Sequence, residues 1–596
     1  MNMKDTVKNL EALRDVMRRN HVDAMIIPGT DPHQSEYISA HWKLRDWATG
    51  FTGSNGTAVV TLNEAGLWTD SRYFLQAEME LAGTGIVMYK EDGGNDQTVT
   101  EWLASHLEED SVVAINGRLF SVVQAGRLEA FCGENGFRLA TDFDPFPAIY
   151  ADRPELPLEP IYVHEEKYAG EDVRSKVSRI MDACAVHGAD ATLLSALDEV
   201  AWTFNIRCAD IEFNPVAIAY AYVSDGDCVL FVDERKVNAE VANYLHDCGV
   251  KVASYDSVEH FLEKLKNKTV LLDPNKTSDT IARSILNCSV VYAQSPVALM
   301  KAVKNEVQLE GVRRAMERDG VALVKLYMWL EENVASEKLT EIDVAEMLVK
   351  FRAESPLYKG ESFAAACGYN AHGAIVHYEA EEASASVLKP EGLLLFDTGA
   401  QYLDGTTDIT RTVALGNPTD VQRRNYTLVL KGHVALAKAV YPEGTRGSQL
   451  DALARQFLWQ NCMTYWHGTG HGVGHFLNVH EGPQNFRLNE NPTVLVANMI
   501  TSDEPGLYKT GEYGIRIENL ILSRNCRHTE DFGDFMDFET LTLCPYDSRL
   551  IDMSILTDEE TAWIDSYHAM VYDRLSPYLD EQQKEWLKNK TKPLKK

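Results

Sequence analysis

Two apolar strands that each carry an aspartate constrain the fold of this chain more than any other segment. The stretch "GLLLFDTGAQYLDGTTDITRTVAL" predicts two strands joined across Asp404-Gly405, a dipeptide that favours a β-hairpin. Asp397 ends the apolar run of the first strand, and Asp408 lies in the return strand among threonines. Because an isolated buried carboxylate is very costly, both acids need partners. Turn capping or pairing with Arg411 would satisfy them, and so would a cation.

A histidine and two further acids extend this pair. His471 lies in the glycine-rich loop "HGTGHGVGHFLNVHEGP". In "SDEPGLYKTGEYGIRIENLIL", Glu504 precedes a Pro-Gly turn, while Arg516 and Glu518 alternate with isoleucines along a strand. Taken singly, Glu504 is a turn residue and Glu518 half of a salt bridge on a solvated sheet face. Together with the aspartates they form an oxygen-rich set that suits two divalent ions such as Mn²⁺ or Co²⁺, whereas structural zinc favours thiolates.

The length of the chain predicts several domains. Its 596 residues exceed the ~250–300 at which a single hydrophobic core stops growing. A proline-rich run after residue 150 predicts a linker, so that a first α/β domain covers residues 1–155 and a second covers 156–302. "DAMIIPGT" and "GTAVVTLNEAGLWTD" predict strands of the first domain, and "ATLLSALDEVAWTFNI", "CVLFVDE" and "TVLLDPN" those of the second. The two domains have similar length and element order without a repeat at the level of residues.

The pattern changes near residue 303, where apolar residues keep helical spacing over a long segment. Beyond it, helices alternate with pairs of strands, which predicts an α+β domain with an antiparallel sheet over residues 303–540. Residues 541–596 form a largely helical C-terminal extension that ends in lysines.

Composition excludes several classes of function. A formal charge of −32 argues against nonspecific binding to nucleic acid, which needs surplus lysine and arginine. The ten cysteines are scattered without a CxxC pair and are predicted to be reduced thiols. The amphipathic N-terminus lacks the apolar region of a signal peptide, and no run of 18 apolar residues predicts a membrane span. We therefore expect a cytoplasmic protein without a membrane partner.

These motifs resemble those of the three-domain Xaa-Pro aminopeptidases, metallopeptidases of the pita-bread fold. The resemblance extends over nearly the whole chain, through "DPHQSEYI", "GTAVVTL", "LWTDSRYFLQA", "LDEVAWTFNIR", "NPVAIAYAYV", "KAVKNEVQLEG", "GAIVHY", "FDTGAQYLDGTTDITRT", "GTGHGVGHFLNVHEGP", "DEPGLY", "GIRIEN" and "FETLTLCPYDSRLID". It implies two creatinase-like α/β domains followed by a pita-bread catalytic domain with a curved antiparallel sheet.

The resemblance also implies a role for each ligand. Asp397 chelates one ion, Asp408 and Glu518 bridge both ions, and His471 and Glu504 bind the other. Glu504 also acts as the general base. The cofactors implied are two divalent ions, with Mn²⁺ as the first candidate and Co²⁺ and Zn²⁺ as alternatives.

Substrate-facing residues follow from the same resemblance. His377 and His480 match histidines beside the scissile peptide bond and are catalytic. His467 supports the metal ligands, and Arg516 belongs with the residues that bind substrate. Glu36, in "HQSEY", is a candidate for recognition of the substrate amine, with a surface-loop acid as the alternative.

One segment departs from the pattern that the resemblance predicts. The chain reads "GYNAHGAIVHY" where "GPNGAIIHY" is expected, so two residues are added before His377 and His372 has no assigned role. His475 is predicted to be structural, and Cys462 has no partner pattern that would make it a nucleophile.

The function implied is a metal-dependent exopeptidase that releases the first residue from peptides with proline in the second position. The alternatives are a prolidase-like dipeptidase and a non-catalytic peptide-binding module on the same fold; a creatinase would lack the carboxylate ligands. A homodimer is expected through the helix that carries Trp459, for which a place in the core is the alternative.

Overall fold

The structure is a computed structural model that describes residues 3–91 and 96–595. It divides into two compact units. Unit 1 comprises Met1–Glu166 and Glu171–Ala298, and unit 2 comprises Lys167–Gly170 and Leu299–Lys596. The domain boundaries at residues 155, 302 and 540 stay predictions. In the described part of the chain, no helix combines the length and the apolar character needed to span a membrane.

The first half of unit 1 is a six-stranded sheet in the order β4-β3-β2-β1-β5-β6. Its strands are β1 (Ala24–Pro28), β2 (Thr57–Thr61), β3 (Ala65–Thr69), β4 (Val87–Lys90), β5 (Val112–Ala114) and β6 (Arg138–Ala140). Its helices are α1 (Met3–Arg19), α2 (Leu44–Thr49), α3 (Phe74–Glu80), α4 (Val99–His106), α5 (Val122–Glu134) and α6 (Phe146–Ile149). The β1-β2 and β2-β3 pairs are antiparallel, and the remaining pairs are parallel.

The next segment repeats this topology in a second sheet, ordered β12-β11-β10-β8-β13-β14. Its strands, with the separate pair β7 and β9, are β7 (Tyr162–Val163), β8 (Ala191–Leu194), β9 (Ile206–Arg207), β10 (Ala219–Ser224), β11 (Asp227–Val232), β12 (Val250–Ala253), β13 (Thr269–Leu272) and β14 (Ser289–Tyr292). The helices are α7 (Glu166–Ala169), α8 (Val173–Val186), α9 (Leu197–Thr203), α10 (Ala239–Asp247), α11 (Val258–Lys264), α12 (Asp279–Arg283) and α13 (Pro296–Ala302). Corresponding strands pair in the same directions as in the first sheet, which confirms the similar element order.

The strand prediction for "ATLLSALDEVAWTFNI" is correct only in part. Residues Ala191–Leu194 form β8, but Leu197–Thr203 form helix α9. Asp198 and Glu199 occupy the first turn of this helix, where carboxylates interact favourably with the helix dipole. A short apolar run does not distinguish a buried strand from a buried helix, so the local sequence left the choice open.

Unit 2 is an α+β domain in which every described strand pair is antiparallel. Its helices are α14 (Glu306–Asn333), α15 (Glu341–Arg352), α16 (Asp420–Ala437), α17 (Gly447–Trp459), α18 (Asp558–Leu575) and α19 (Glu581–Lys590). Its strands are β15 (Tyr358–Glu361), β16 (Ala366–Tyr369), β17 (Leu393–Thr398), β18 (Ala400–Tyr402), β19 (Gly405–Thr406), β20 (Ile409–Ala414), β21 (Tyr441–Pro442), β22 (Gly470–His471), β23 (Asn485–Phe486), β24 (Ile500–Asp503), β25 (Gly506–Lys509), β26 (Tyr513–Arg516), β27 (Asn519–Thr529) and β28 (Gly533–Thr540). The predicted fold class, α/β followed by α+β with a curved antiparallel sheet, is confirmed.

The predicted hairpin forms, but each of its strands is broken in two. β17 and β20 pair in one sheet, while β18 and β19 pair in another around Asp404. The break lies at Gly399, where a Cβ atom would stand 2.2 Å from both the Ser362 hydroxyl and the Thr407 carbonyl oxygen. Asp408 therefore lies in the gap between β19 and β20 and not within the return strand, as the sequence had suggested.

Close packing of α16 against α17 forms part of the core of unit 2. Val429 and Val434 of α16 and Leu458 of α17 are fully buried in one hydrophobic cluster. Gly432 allows the two backbones to approach, because a Cβ atom there would lie 2.0 Å from the carbonyl oxygen of Ala454. A side chain at this position would force the helices apart.

Replacing Gly432 by alanine should therefore destabilise unit 2 by about 1–3 kcal/mol, the usual cost of overpacking a core. Gly126→Ala is the matched control, since this glycine is exposed within helix α5 and a Cβ atom would meet nothing within 4 Å. The control should be neutral or up to ~1 kcal/mol stabilising. Calorimetric unfolding of the two variants tests the packing, and equal midpoints would contradict it.

Candidate metal centre

The five predicted ligands all lie in or next to strands of unit 2. Asp397 lies in β17 opposite Thr410, and Asp408 immediately precedes β20. His471 ends β22, Glu504 follows β24, and Glu518 lies between β26 and β27. Four of the five ligands therefore lie at or next to a strand end, whereas Asp397 lies within β17 and is paired on both sides.

Backbone hydrogen bonds set the spacing of these strand ends. The Glu518 N–H donates to the carbonyl oxygen of Thr410 at 3.1 Å, and the Glu504 N–H donates to that of Thr469 at 2.8 Å. The Thr410 hydroxyl also donates to Glu518 Oε2 at 2.8 Å. The carboxylates are therefore placed by the pairing of the strands and not by flexible loops.

The geometry of His471 fits a metal ligand. Its Nδ1 lies 3.0 Å from the carbonyl oxygen of Gly472, which favours the tautomer with the proton on Nδ1. Nε2 then turns a lone pair toward Asp408 Oδ2 at 3.4 Å and Glu504 Oε1 at 3.6 Å. Ligand atoms of Asp408, His471 and Glu518 all lie within 4.8 Å of one another. Acceptors that face one another at these distances need a cation or a proton between them.

The electrostatics of the acids also indicate that the cluster needs a cation or a proton. Burial raises the pKa of Glu504 to about 8, against the lowering effect of Arg516 and with added repulsion from Asp397 and Asp408. Burial and the neighbouring carboxylates also raise the pKa of Glu518 well above its ordinary value. Burial raises the pKa of Asp397 too, and Asp408 adds to the shift while Arg516 opposes it.

The residues present therefore fit two divalent cations. Four carboxylates and one guanidinium leave three formal negative charges in the cluster, which two divalent ions would more than balance. Asp397 Oδ1 is buried and makes no hydrogen bond to any group in the described part of the chain. An orphaned carboxylate oxygen is a donor that a hard or borderline metal ion accepts, and so is the histidine lone pair that faces Asp408 and Glu504.

Arg516 pairs with Asp397, whereas the sequence had offered Arg411 as the partner. The Arg516 guanidinium donates to Asp397 Oδ2 at 2.6 Å and also to Thr410 Oγ1 and the Tyr508 hydroxyl. Arg411 instead donates to backbone carbonyls, Asn519 and the Tyr567 hydroxyl. The idea that Glu518 forms a salt bridge on a solvated sheet face is also wrong, because its side chain is 1% exposed.

The histidines surround this cluster at different distances. The His480 ring packs edge-on to His471 with centroids 4.4 Å apart. His467 Nε2 lies 2.8 Å from the Tyr508 hydroxyl, which in turn contacts Arg516, so His467 reaches the carboxylates through two intermediates. His377 is half-buried and follows Val376, whose backbone carbonyl oxygen accepts a hydrogen bond from Arg516.

The packing of the glycine-rich loop bears out one of the two predictions made for it. The structural role of His475 stays a prediction, although its side chain is buried. Gly470 permits a close approach, since a Cβ atom there would stand 1.8 Å from the carbonyl oxygen of Ser502. Cys462 is exposed and is not part of the cluster.

Sequence reasoning missed a buried ion cluster that anchors this loop. Glu481, adjacent to His480, binds Lys304 at 2.8 Å and Lys301 at 3.0 Å, and none of the three side chains is more than 4% exposed. The signal was present in "KAVKN", where two lysines interrupt an otherwise apolar stretch. Tyr508, the link between His467 and Arg516, was missed as well, although it lies in the quoted motif "DEPGLY".

The role of Glu36 in recognising the substrate amine and that of Trp459 in a homodimer stay predictions. Glu36 lies in unit 1, where its carboxylate is 3.6 Å from Arg72. Trp459 ends α17 and is 43% exposed, so the alternative that placed it in the core is wrong.

Models of known protein families match successive segments along nearly the whole chain. Models of the creatinase/prolidase N-terminal domain match residues 9–144 and 152–308. The model of metallopeptidase family M24 matches residues 310–525, and that of the C-terminal region of peptidase M24 matches residues 534–594.

Similar proteins match over comparable lengths. Aminopeptidase P2 of Arabidopsis thaliana is 41% identical over 619 aligned positions, covering 96% of this chain and 86% of the relative. A probable Xaa-Pro aminopeptidase P of Aspergillus niger is 38% identical over the whole of both chains. The crystal structure of X-prolyl aminopeptidase from Caenorhabditis elegans, a cytosolic enzyme with a di-nuclear active site, superposes with a TM-score of 0.94 at 33% identity and full coverage of both chains. The chain therefore belongs to metallopeptidase family M24, alongside the Xaa-Pro aminopeptidases P that its motifs resemble.

Proposed function

We propose that this protein is an Xaa-Pro aminopeptidase, which releases the first residue of peptides that carry proline in the second position. The observation that carries the proposal is the cluster of four carboxylates and His471, in which Asp408 and Glu518 are buried and the histidine lone pair is directed at two of the acids. Full-length similarity to proteins with this activity in their names supports the substrate class. A prolidase-like dipeptidase and a non-catalytic binding module are not favoured.

The same five residues would hold the ions. Asp397 would bind one ion, His471 and Glu504 the other, and Asp408 and Glu518 both. Mn²⁺ is the first candidate and Co²⁺ and Zn²⁺ are alternatives, because the donor set is mainly oxygen with one imidazole nitrogen. When bound, such a pair of ions supplies an activated water nucleophile at neutral pH and polarises the peptide carbonyl.

Proton transfer is assigned to Glu504. Its carboxylate belongs to the cluster, with Oε1 3.6 Å from His471 Nε2, and the side chain is 18% exposed, so one oxygen can face the attacking water. Glu504 accepts the proton of that water and passes it to the proline nitrogen as the peptide bond breaks. The nitrogen has no amide hydrogen beforehand, so a site adapted to proline recognises the shape of the ring and not a donated hydrogen bond.

His377 and His480 are assigned to the substrate side of the centre, where they stabilise the charge that develops on the scissile carbonyl oxygen. Arg516 holds Asp397 in place and borders the same space. His467 supports Arg516 through the Tyr508 hydroxyl. Glu36 is proposed to recognise the substrate amine; unchanged kcat and KM in Glu36→Gln would remove that role.

A homodimer and a cytoplasmic location complete the proposal. The exposed ring of Trp459 at the end of α17 is available for a contact with a second chain. Sedimentation at micromolar concentration should give about twice the 66.8 kDa chain mass, and a species of single mass would reject the dimer. Fractionation of the source cells would test the location.

The first test of the metal assignment is loss of activity on chelation and recovery with Mn²⁺. Asp408→Asn should lower the metal content, because a bridging ligand needs both carboxylate oxygens. Asp420→Asn is the matched control, since this aspartate is 93% exposed on helix α16 and should keep full metal content. Elemental analysis of both proteins decides the matter: full occupancy in Asp408→Asn would remove Asp408 from the site.

A second test separates proton transfer from metal binding. Glu504→Gln keeps an oxygen that can contact a metal but cannot act as a base, so kcat should fall by at least ~10²-fold while KM changes less. Glu512→Gln, an exposed residue in the turn after β25, is the matched control and should behave like the wild type. Steady-state kinetics on an Arg-Pro-Pro-type peptide, with metal counted in the same preparations, gives the answer. If the variant keeps its metals and more than about a tenth of wild-type kcat, Glu504 is not the base.

A further inference from the structure

The segment between β16 and β17 carries His377 and is longer than the resemblance predicts. Its first residues, Asn370–Ala374, form a short 3-10 turn that contains His372. The structure gives His372 a partner that the sequence did not reveal: its Nδ1 lies 2.9 Å from Glu341 Oε1 and 3.0 Å from Oε2.

Glu341 collects donors from several parts of the chain. It is the first residue of α15, and its side chain is 0% exposed. Besides His372, its carboxylate accepts from the Tyr369 N–H at 2.7 Å, the Ser386 N–H at 2.7 Å and the Tyr378 hydroxyl at 3.1 Å. A buried carboxylate is tolerated only when it is hydrogen-bonded, and here four donors from different segments meet that need.

The contacts of Glu341 hold the chain on the C-terminal side of His377. The rings of His372 and Tyr378 lie 4.4 Å apart, so both contacts to Glu341 belong to one packed unit. Tyr378 directly follows His377 in the chain. Glu341 therefore restrains the backbone on the C-terminal side of His377 through the Tyr378 hydroxyl.

A second anchor holds the other side. The carbonyl oxygen of Val376 accepts from the Arg516 guanidinium at 3.3 Å, and Arg516 binds Asp397. The backbone at Gly373 is also pressed against β26, because a Cβ atom on Gly514 would stand 1.6 Å from the Gly373 carbonyl oxygen. His377 thus lies between a residue tied to the metal cluster and a residue tied to Glu341.

We propose that Glu341 is a positioning residue that, through His372 and Tyr378, holds His377 at the reacting peptide bond. This inference rests on the role of His377 in the proposed function. Glu341 has no place in the ligand set or among the substrate-facing residues. Its effect on catalysis is indirect, because a displacement of about 1 Å in a catalytic group can cost up to ~10²-fold in rate.

The experiment compares kcat, KM and metal content for His372→Ala, His372→Asn, Tyr378→Phe and His377→Ala on an Arg-Pro-Pro-type peptide. His372→Ala and Tyr378→Phe each remove one contact to Glu341 and should lower kcat by about 10-fold to 10²-fold at unchanged metal content. His372→Asn should recover most of the loss, because its amide N–H can donate to Glu341 from near the position of Nδ1.

The double variant His372→Ala/His377→Ala separates positioning from a general structural effect. If His372 acts through His377, the double variant should be no slower than His377→Ala alone. An equal fold-loss from His372→Ala in both backgrounds would overturn the inference. So would wild-type kcat in both His372→Ala and Tyr378→Phe.

His377→Ala distinguishes failure of this inference from failure of the underlying proposal. Wild-type kcat in His377→Ala would remove the catalytic role of His377 itself, and the inference with it. A large loss in His377→Ala beside unchanged His372 and Tyr378 variants would overturn the inference alone. Tyr378→Phe, which deletes a single hydroxyl group, supplies the test if His372→Ala fails to fold.

Discussion

The fold brings four carboxylates close together, and their mutual repulsion is the constraint that the rest of the structure must offset. Two like charges 4 Å apart repel by about 4 kcal/mol at an effective dielectric constant of 20. Several such pairs together equal the ~5–15 kcal/mol by which folded domains are stable. Arg516 balances only part of the charge, and burial together with repulsion from the neighbouring acids raises the pKa of Glu504 and of Glu518. The cluster is therefore built for cations, and the surrounding fold must be rigid enough to hold it together.

That rigidity comes from buried polar groups behind the strands. Arg411 extends from β20 to Asn519 of β27, to the carbonyl oxygen of Cys544 and to the Tyr567 hydroxyl of α18. The C-terminal extension thus contacts the two strands next to Asp408 and Glu518. On the other side, Lys301 and Lys304 bind Glu481 beside His480. Breaking a buried ion pair of this kind costs about 3–5 kcal/mol, so these contacts can hold the loop in one conformation.

Much of the fold could be predicted from local pattern. The apolar runs of the strands and the helical spacing after residue 303 each produced the expected type of element. The predicted hairpin also forms, but its turn is Leu403-Asp404 and not Asp404-Gly405, because Gly405 pairs with Tyr402. The prediction failed at α9, where a short apolar run fitted either a strand or a helix. It also failed at Gly399, where the close approach of Ser362 and Thr407 breaks a strand. The two sheets of unit 1 share their strand order without a residue-level repeat, because many different apolar sequences can form the same topology.

The sequence by itself determined the kind of chemistry, because two aspartates, a histidine and two glutamates in that order fit few functions other than metal binding. Only the tertiary structure decided which charges meet. Asp397 pairs with Arg516, 119 residues away, and not with the nearby Arg411. His372 likewise finds its hydrogen-bond partner in Glu341, 31 residues earlier. Turns and periodicity are encoded by neighbouring residues, whereas the partner of a buried charge is set by which elements pack together.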